Sequence, residues 1–324
     1  MTRPRNTRPH PRSAGRPEPN RPSPTRASRL PEPNRPSPGS GGRPLEPVRP
    51  FRWDLRGPDQ LGSLLDGRPP PDLPFLDELV TCAAQVLARC GDGDLHFVGR
   101  SADSVYDLLS GALSATSWRD RLHLLPYSHR FESDLRPWEV QQLRANLSAL
   151  GVTPHGLARR KRPIVFTDLV HGGWTFTHLY DDLRGWVDDE REDWHVIRLK
   201  LRFLGITARG KTSPNTWRWW QDPSWTADLP RRAIINVSLV PWLWHYFGDR
   251  QHKLTPSFRR TRWADDSVAR PARDEHTLTA LTEAVAIVTR GRTPEVRTAL
   301  AQRISAERTF SQPWLRTLAL ELRH

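Results

Sequence analysis

Apolar residues recur at helical spacing through Phe75–Arg89, at Phe75, Leu76, Leu79, Val80, Ala83, Val86 and Leu87, and Gly91 and Gly93 follow as a stop. Leu95–Gly99 (LHFVG) is a short apolar run that reads as a buried strand, and Ala102–Leu113 as the helix after it. The same alternation continues down the chain. Leu122–Tyr127 reads as a strand, and Trp138–Leu150 as a helix with Pro137 at its first position and Gly151 closing it. Ile164–Phe166 reads as a strand followed by a helix over Trp174–Trp186. Trp194–Leu204 alternates and predicts a fourth strand, and Ala233–Leu239 a fifth. Helices are predicted over 275–290, 294–308 and 313–321. Strands alternating with helices predict an α/β fold, a mainly parallel twisted sheet flanked by helices.

Composition changes this picture mainly at the N-terminus. Residues 1–50 hold 14 of the 31 prolines, and their 11 Arg against 3 Glu supply +8 of the formal +13. The other 274 residues carry only +5, so the basicity describes the tail more than the fold. The octapeptide PEPNRPSP occurs at Pro17–Pro24 and again at Pro31–Pro38. With nothing apolar to bury, this stretch predicts a disordered tail, partly polyproline II. The expected divisions are a tail over 1–50, an α/β domain over 51–240, and a helical extension over 241–324 packed on the core. No apolar run approaches the roughly 18–20 residues of a membrane span, and the N-terminus has no apolar segment of the secretory kind. Cys82 and Cys90 form neither a disulfide framework nor a metal motif, so both are expected as buried thiols in a reducing, cytoplasmic setting.

Two strand ends carry candidate chemistry, since ligands of open α/β sheets bind at the carboxyl ends of strands. One is Gly99-Arg100-Ser101, where a glycine admits close backbone approach, an arginine offers a donor fork for phosphate, and a serine can cap the next helix. The other is the stretch IVFTDLVHGGWTF at 164–176. Asp168 stands at the strand tip, Gly172 and Gly173 leave backbone N–H groups uncovered, and Thr175 opens a helix whose positive end favours an anion. Among the basic residues of 128–160 and just beyond, Arg130, Arg136, Arg144, Arg159, Arg160 and Lys161 could close over such a ligand or form a solvated face. Trp217, Trp219, Trp220 and Trp225 are dense enough to build a small core, or else a stacking platform with Arg218 or Asn215 beside it. His245 and His252 lack a third ligand, and no metal site is expected.

The run from Asp168 to Thr175 resembles the fingerprint of the type I phosphoribosyltransferases: a hydrophobic strand, acidic residues, two apolar residues and a small loop ending Gly-x-Thr. The resemblance extends over roughly 75–240, and only 164–176 is specific. It implies binding of phosphoribosyl pyrophosphate, with Mg²⁺ carried by that ligand, and transfer of its phosphoribosyl group to an acceptor. By the resemblance, Asp168 contacts the ribose hydroxyls, the loop His171-Gly172-Gly173-Trp174-Thr175 holds the 5′-phosphate, and Gly99-Arg100-Ser101 takes the place of the pyrophosphate loop. Asp168 and His171 would be the catalytic carboxylate and base, and Thr167 would complete the ligand contacts. Thr167 stands where the family has its first acidic residue, a departure that favours a regulator binding phosphoribosyl pyrophosphate or a nucleotide without chemistry. A third expectation is a nucleic-acid-associated protein acting through the basic tail.

Overall fold

The computed structural model describes residues 45–57, 60–128, 134–210, 218–221 and 224–324. Five short apolar runs become strands: β1 (Asp94–Val98), β2 (Leu122–Leu125), β3 (Ile164–Leu169), β4 (Leu201–Ala208) and β5 (Ile234–Leu239). They form one sheet in the order β2-β1-β3-β4-β5, parallel throughout. The helices are α1 (Leu76–Arg89), α2 (Asp103–Ala112), α3 (Pro137–Ser148), α4 (Pro154–Arg159), α5 (Trp174–Asp189), α6 (Trp194–Ile197), α7 (Pro241–His245), α8 (Glu275–Arg292), α9 (Pro294–Ser305) and α10 (Pro313–Glu321). The predicted α/β class holds.

Because side chains alternate across a strand, each strand feeds two cores. Leu95, Phe97, Val165, Leu169, Leu204 and Ile206 face α1 and α2, with α9 and α10 packed outside them. Ile164, Phe166, Leu201 and Phe203 face α3 and α5. The C-terminal helices are continuous with the first core, and the described residues from 45 to 324 belong to one compact unit. Cys82 and Cys90 are buried there as expected, and burial pushes both thiols up to about 12.

Three expectations shift. The predicted strand Trp194–Leu204 is helical up to Lys200, and β4 starts only at Leu201. Asp193 accepts a hydrogen bond from His195 N at 2.8 Å and so starts a helical turn, which buries Trp194 and Ile197 three positions apart. The helix α4 was not predicted, although Thr153 caps it and Pro154 sits at its first position. The expected tail ends sooner than residue 50. Val48 N donates to Asn146 Oδ1 at 2.7 Å, Gln142 Nε2 donates to Glu46 O at 2.9 Å, and Phe51 N to Val268 O at 2.6 Å. The rest of the tail, 1–44, lies outside the described residues, as do Arg130, Lys211, Asn215 and Trp217.

Helices α2 and α8 meet at two glycines. A Cβ on Gly111 would lie 2.2 Å from the Val288 carbonyl oxygen, and one on Gly291 2.5 Å from that of Leu108. Gly111→Ala should therefore force backbone apart and cost about 1–3 kcal/mol or more, as overpacking does. At roughly 2–4 °C per kcal/mol for a domain of this size class, a thermal melt followed by circular dichroism should drop by several degrees. Gly185 in α5 is exposed with nothing near its Cβ, so Gly185→Ala should raise stability by about 0.5–1 kcal/mol.

Candidate functional site

The chain leaving β1 turns into α2 on one face of the sheet, and the chain leaving β3 turns into α5 on the other. Adjacent parallel strands whose connections diverge leave a crevice at their carboxyl ends. Two adjoining cavities open there. The smaller, about 250 Å³, is lined by Gly99, Arg100, Ser101 and Thr175 together with Lys253 and Arg259. The larger, about 830 Å³, is lined by the whole run from Asp168 to Phe176 with His178 and Trp244. Ser101, Ser128, Asp168, Thr175, Gly248 and Asp249 line both.

Ten residues were expected to bind ligand. The structure brings nine of them to this crevice, sequence-distant as they are: Gly99, Arg100, Ser101, Asp168, His171, Gly172, Gly173, Trp174 and Thr175. Gly99 has φ +69° and Gly173 φ +80°, conformations that favour glycine at the two turns. Neither α2 nor α5 has a side-chain cap at its N-terminus, although in α2 Asp103 N donates to Arg100 O at 3.3 Å and Val105 N to Ala102 O at 3.1 Å. Trp174, the first residue of α5, is 71 % exposed. His171 is exposed at the rim, its ring 6.3 Å from that of Trp244.

Thr167 is the exception. It is fully buried, lines neither cavity, and pairs in register with Leu204 while Asp168 pairs with Gly205. Strand alternation turns Thr167 toward the α1–α2 face and its neighbour Asp168 toward the other. A carboxylate at 167 would be buried in an apolar layer, not offered to a ligand.

Asp168 is 6 % exposed and accepts a short hydrogen bond from Ser101 Oγ, which ties the two loops together. Burial pushes its carboxyl up to about 7, against smaller opposing effects of the Ser101 hydroxyl, the Leu169 N–H and Lys253. Lys253 Nζ donates to Gln251 Oε1 at 2.6 Å and lies 3.5 Å from Ser101 O. Burial lowers its pKa to about 8. Arg100 Nη1 donates to Thr255 O at 2.9 Å. Among the described residues, Arg100, Lys253 and Arg259 have no ion-pair partner, and they share the smaller cavity with the carboxyls of Asp168 and Asp249.

No known protein family, characterised protein or solved structure matches this chain. The site therefore has to be read from its own chemistry.

Three of the basic residues expected to close over a ligand are engaged elsewhere: Arg144 pairs with Asp189, Arg160 with Asp94, and Arg159 lies 3.5 Å from Glu192. Arg136 precedes α3, where its backbone N donates to Glu139 Oε2 at 2.7 Å. The cations of the crevice come instead from 253–259, which the sequence reading missed as site residues. The basic run from His252 to Arg262 was visible, but its place depends on Arg259 bridging to Ser128 beyond the end of β2.

The tryptophan cluster resolves into packing. Trp219 and Trp225 are buried against Phe176, Tyr180 and Phe203, with ring centroids 4.8–5.4 Å apart for Phe203–Trp225, Tyr180–Trp225 and Phe176–Trp219. The Trp219 indole lies where a Cβ on Gly205 would fall, 2.8 Å from it. A Cβ on Gly173 would likewise meet Trp219 O at 3.1 Å, so a side chain at 173 would disturb this packing as well as the turn.

The Asp168 carboxyl predicts a pH signature. Its folded pKa of about 7 exceeds the ordinary 3.8, so the folded state holds its proton more tightly than the unfolded chain. Stability is then unaffected below about pH 4, falls as pH rises from about 4 to 7, and stays lowered above. Asp168→Asn removes this dependence. Urea denaturation at pH 4 and pH 8 should show the variant gaining on the parent only at the higher pH.

Proposed function

We propose that the crevice binds a phosphorylated pentosyl ligand, with phosphoribosyl pyrophosphate and its Mg²⁺ the form that fits the residues best. The observation that supports this reading is the pairing of two distant turns, Gly99–Ser101 and Asp168–Thr175, beside three cations that have no ion pair among the described residues. The turn at the N-terminus of α5 suits a phosphate monoester, which would accept from backbone N–H groups and the Thr175 hydroxyl. Arg100, Lys253 and Arg259 suit the pyrophosphate. Asp168, once deprotonated, is the buried oxygen donor that would face the ribose hydroxyls and the ligand's Mg²⁺.

As a transferase the site would act by charge. The bond from ribose C1 to pyrophosphate breaks with its electron pair leaving on the pyrophosphate. A lone pair of the acceptor forms the new bond to C1, and the acceptor gives up a proton. The cations would stabilise the leaving anion, and His171 at the rim is the candidate to take the proton. The regulator reading keeps the same ligand without the chemistry. It is favoured by Thr167, buried away from the crevice, and by Asp168, which keeps its proton close to neutrality and so offers little charge to a cationic centre. The nucleic-acid reading rests on the tail 1–50, of which 1–44 lie outside the described residues, and on the tryptophan cluster, of which Trp219 and Trp225 are buried in packing.

Calorimetric titration with phosphoribosyl pyrophosphate and Mg²⁺ tests the binding. The parent should bind, and Lys253→Met and Arg259→Gln should each bind about 10- to 150-fold more weakly, the equivalent of a hydrogen bond to a charged group. Release of pyrophosphate by the parent separates transferase from regulator. A parent that shows no binding removes both readings.

A further inference from the structure

The segment Lys253–Pro256 is a wall with a cavity on each side. On the side away from the crevice lies a cavity of about 360 Å³, walled by chain around Phe51, by 253–256 and by 262–277. It is lined by Arg100, Lys253, Arg262, Arg270 and His276, against a single carboxylate, Asp274. That carboxylate is already committed to the start of α8. Its Oδ1 accepts from Thr277 N at 2.9 Å and its Oδ2 from the Thr277 hydroxyl at 3.1 Å.

The cations are poorly neutralised. Arg100, Lys253 and Arg270 have no ion-pair partner among the described residues. Arg262 has only Asp265 at 3.7 Å, whose Oδ1 is taken by Ser267 N at 2.9 Å and by the Ser267 hydroxyl at 2.5 Å. Burial lowers the pKa of Arg100. Asp103 opposes this, and the positive charges of Arg259 and Arg262 add to it. Like charges gathered around a cleft are stabilised by an anion placed among them.

We propose that this outer cavity is a second anion site, taking a compact diphosphate group, distinct from the crevice and joined to it through Arg100 and Lys253. Its volume of about 360 Å³ leaves room for a diphosphate. The cations come from three parts of the chain: Arg100 from the turn after β1, Lys253 from the segment 253–256, and Arg262 and Arg270 from the chain leading to α8. Four cations against one committed carboxylate suit the charge of two phosphates better than that of one. Phe51, Leu254 and Val268 add an apolar floor that a nucleoside could use. The inference does not depend on what occupies the crevice.

The test is calorimetric titration of the full chain with inorganic pyrophosphate, using variants confined to one cavity. Arg262 and Arg270 line only the outer cavity of the two, and Arg259 only the crevice. The double variant Arg262→Gln/Arg270→Gln should weaken one binding event by about tenfold or more, and Arg259→Gln should leave that event intact. Arg270 is exposed, so Arg270→Gln alone supplies a variant whose folding is not at stake, with a smaller loss in the same event. A double variant that melts like the parent and titrates like the parent overturns the proposal. So does a parent with a single event that only Arg259→Gln removes. Adenosine diphosphate distinguishes the source: affinity equal to that of pyrophosphate assigns free diphosphate, and tighter binding assigns a nucleotide. A chain that ignores phosphoribosyl pyrophosphate but loses pyrophosphate binding in the double variant would sink the reading of the crevice and leave this site standing.

Discussion

The reversal of strand order between β1 and β3 is the constraint on which the rest depends. The two strands are hydrogen-bonded neighbours, yet the chain departs from one toward α2 and β2 and from the other toward α5 and β4. Their carboxyl ends must therefore be finished by two turns that face each other with no helix between them. Everything chemical in the molecule gathers at this gap: glycines with positive φ, two helix starts without side-chain caps, and a hydrogen bond from Ser101 to Asp168 that closes the floor. The sheet holds this arrangement rigidly because both of its faces are covered.

Placing ionisable groups in such a gap costs solvation, and the surrounding residues offset it in part. Lys253 is steadied by Gln251, whose amide in turn donates to Ser104 Oγ at 2.7 Å and to Glu283 Oε1 at 2.5 Å, with Tyr246 OH on the same Glu283 at 2.6 Å. The segment Lys253–Pro256 is thus wired to α2 and α8 by polar contacts. Arg52 performs a similar service one layer further out, pairing with Asp103 at 2.8 Å and with Asp107, whose carboxyl burial raises to about 6. Among the described residues, Arg100, Lys253 and Arg259 keep no ion pair beside the two cavities, which is the feature the proposed binding rests on.

Much of this was legible from period and punctuation. The apolar runs ending at Gly99 and at Asp168 marked both strand tips, because a buried parallel strand has to be apolar on both faces and has to end in a turn. Pro137 and Gly151 framed a helix for the same local reasons. The errors arose where local pattern and tertiary context disagreed. Trp194 to Leu204 alternates like a strand, but Asp193 caps a helical turn and Trp194 reaches Asp228 at 2.7 Å, so its first half winds. Thr167 stood beside Asp168 in sequence and was read as its partner in the site, yet one residue of offset in a strand is a change of face. Lys253 and Arg259 were invisible as site residues because their place is set by a return of the chain to the far end of β2, and no periodicity records that.

The paired glycines between α2 and α8 bear on how this molecule can move. With Gly111 and Gly291 each seated against the opposite backbone, sliding α8 along α2 would drive a larger side chain into a carbonyl oxygen. The contact is a register lock, and it makes α8, with Asp274 and His276 at its start, a stationary frame for one side of the outer cavity. Across that cavity stands the segment Lys253–Pro256, which also lines the crevice and is held by the Arg100–Thr255 and Lys253–Gln251 hydrogen bonds. A strip of backbone shared in this way couples the two spaces, since any widening of one would narrow the other.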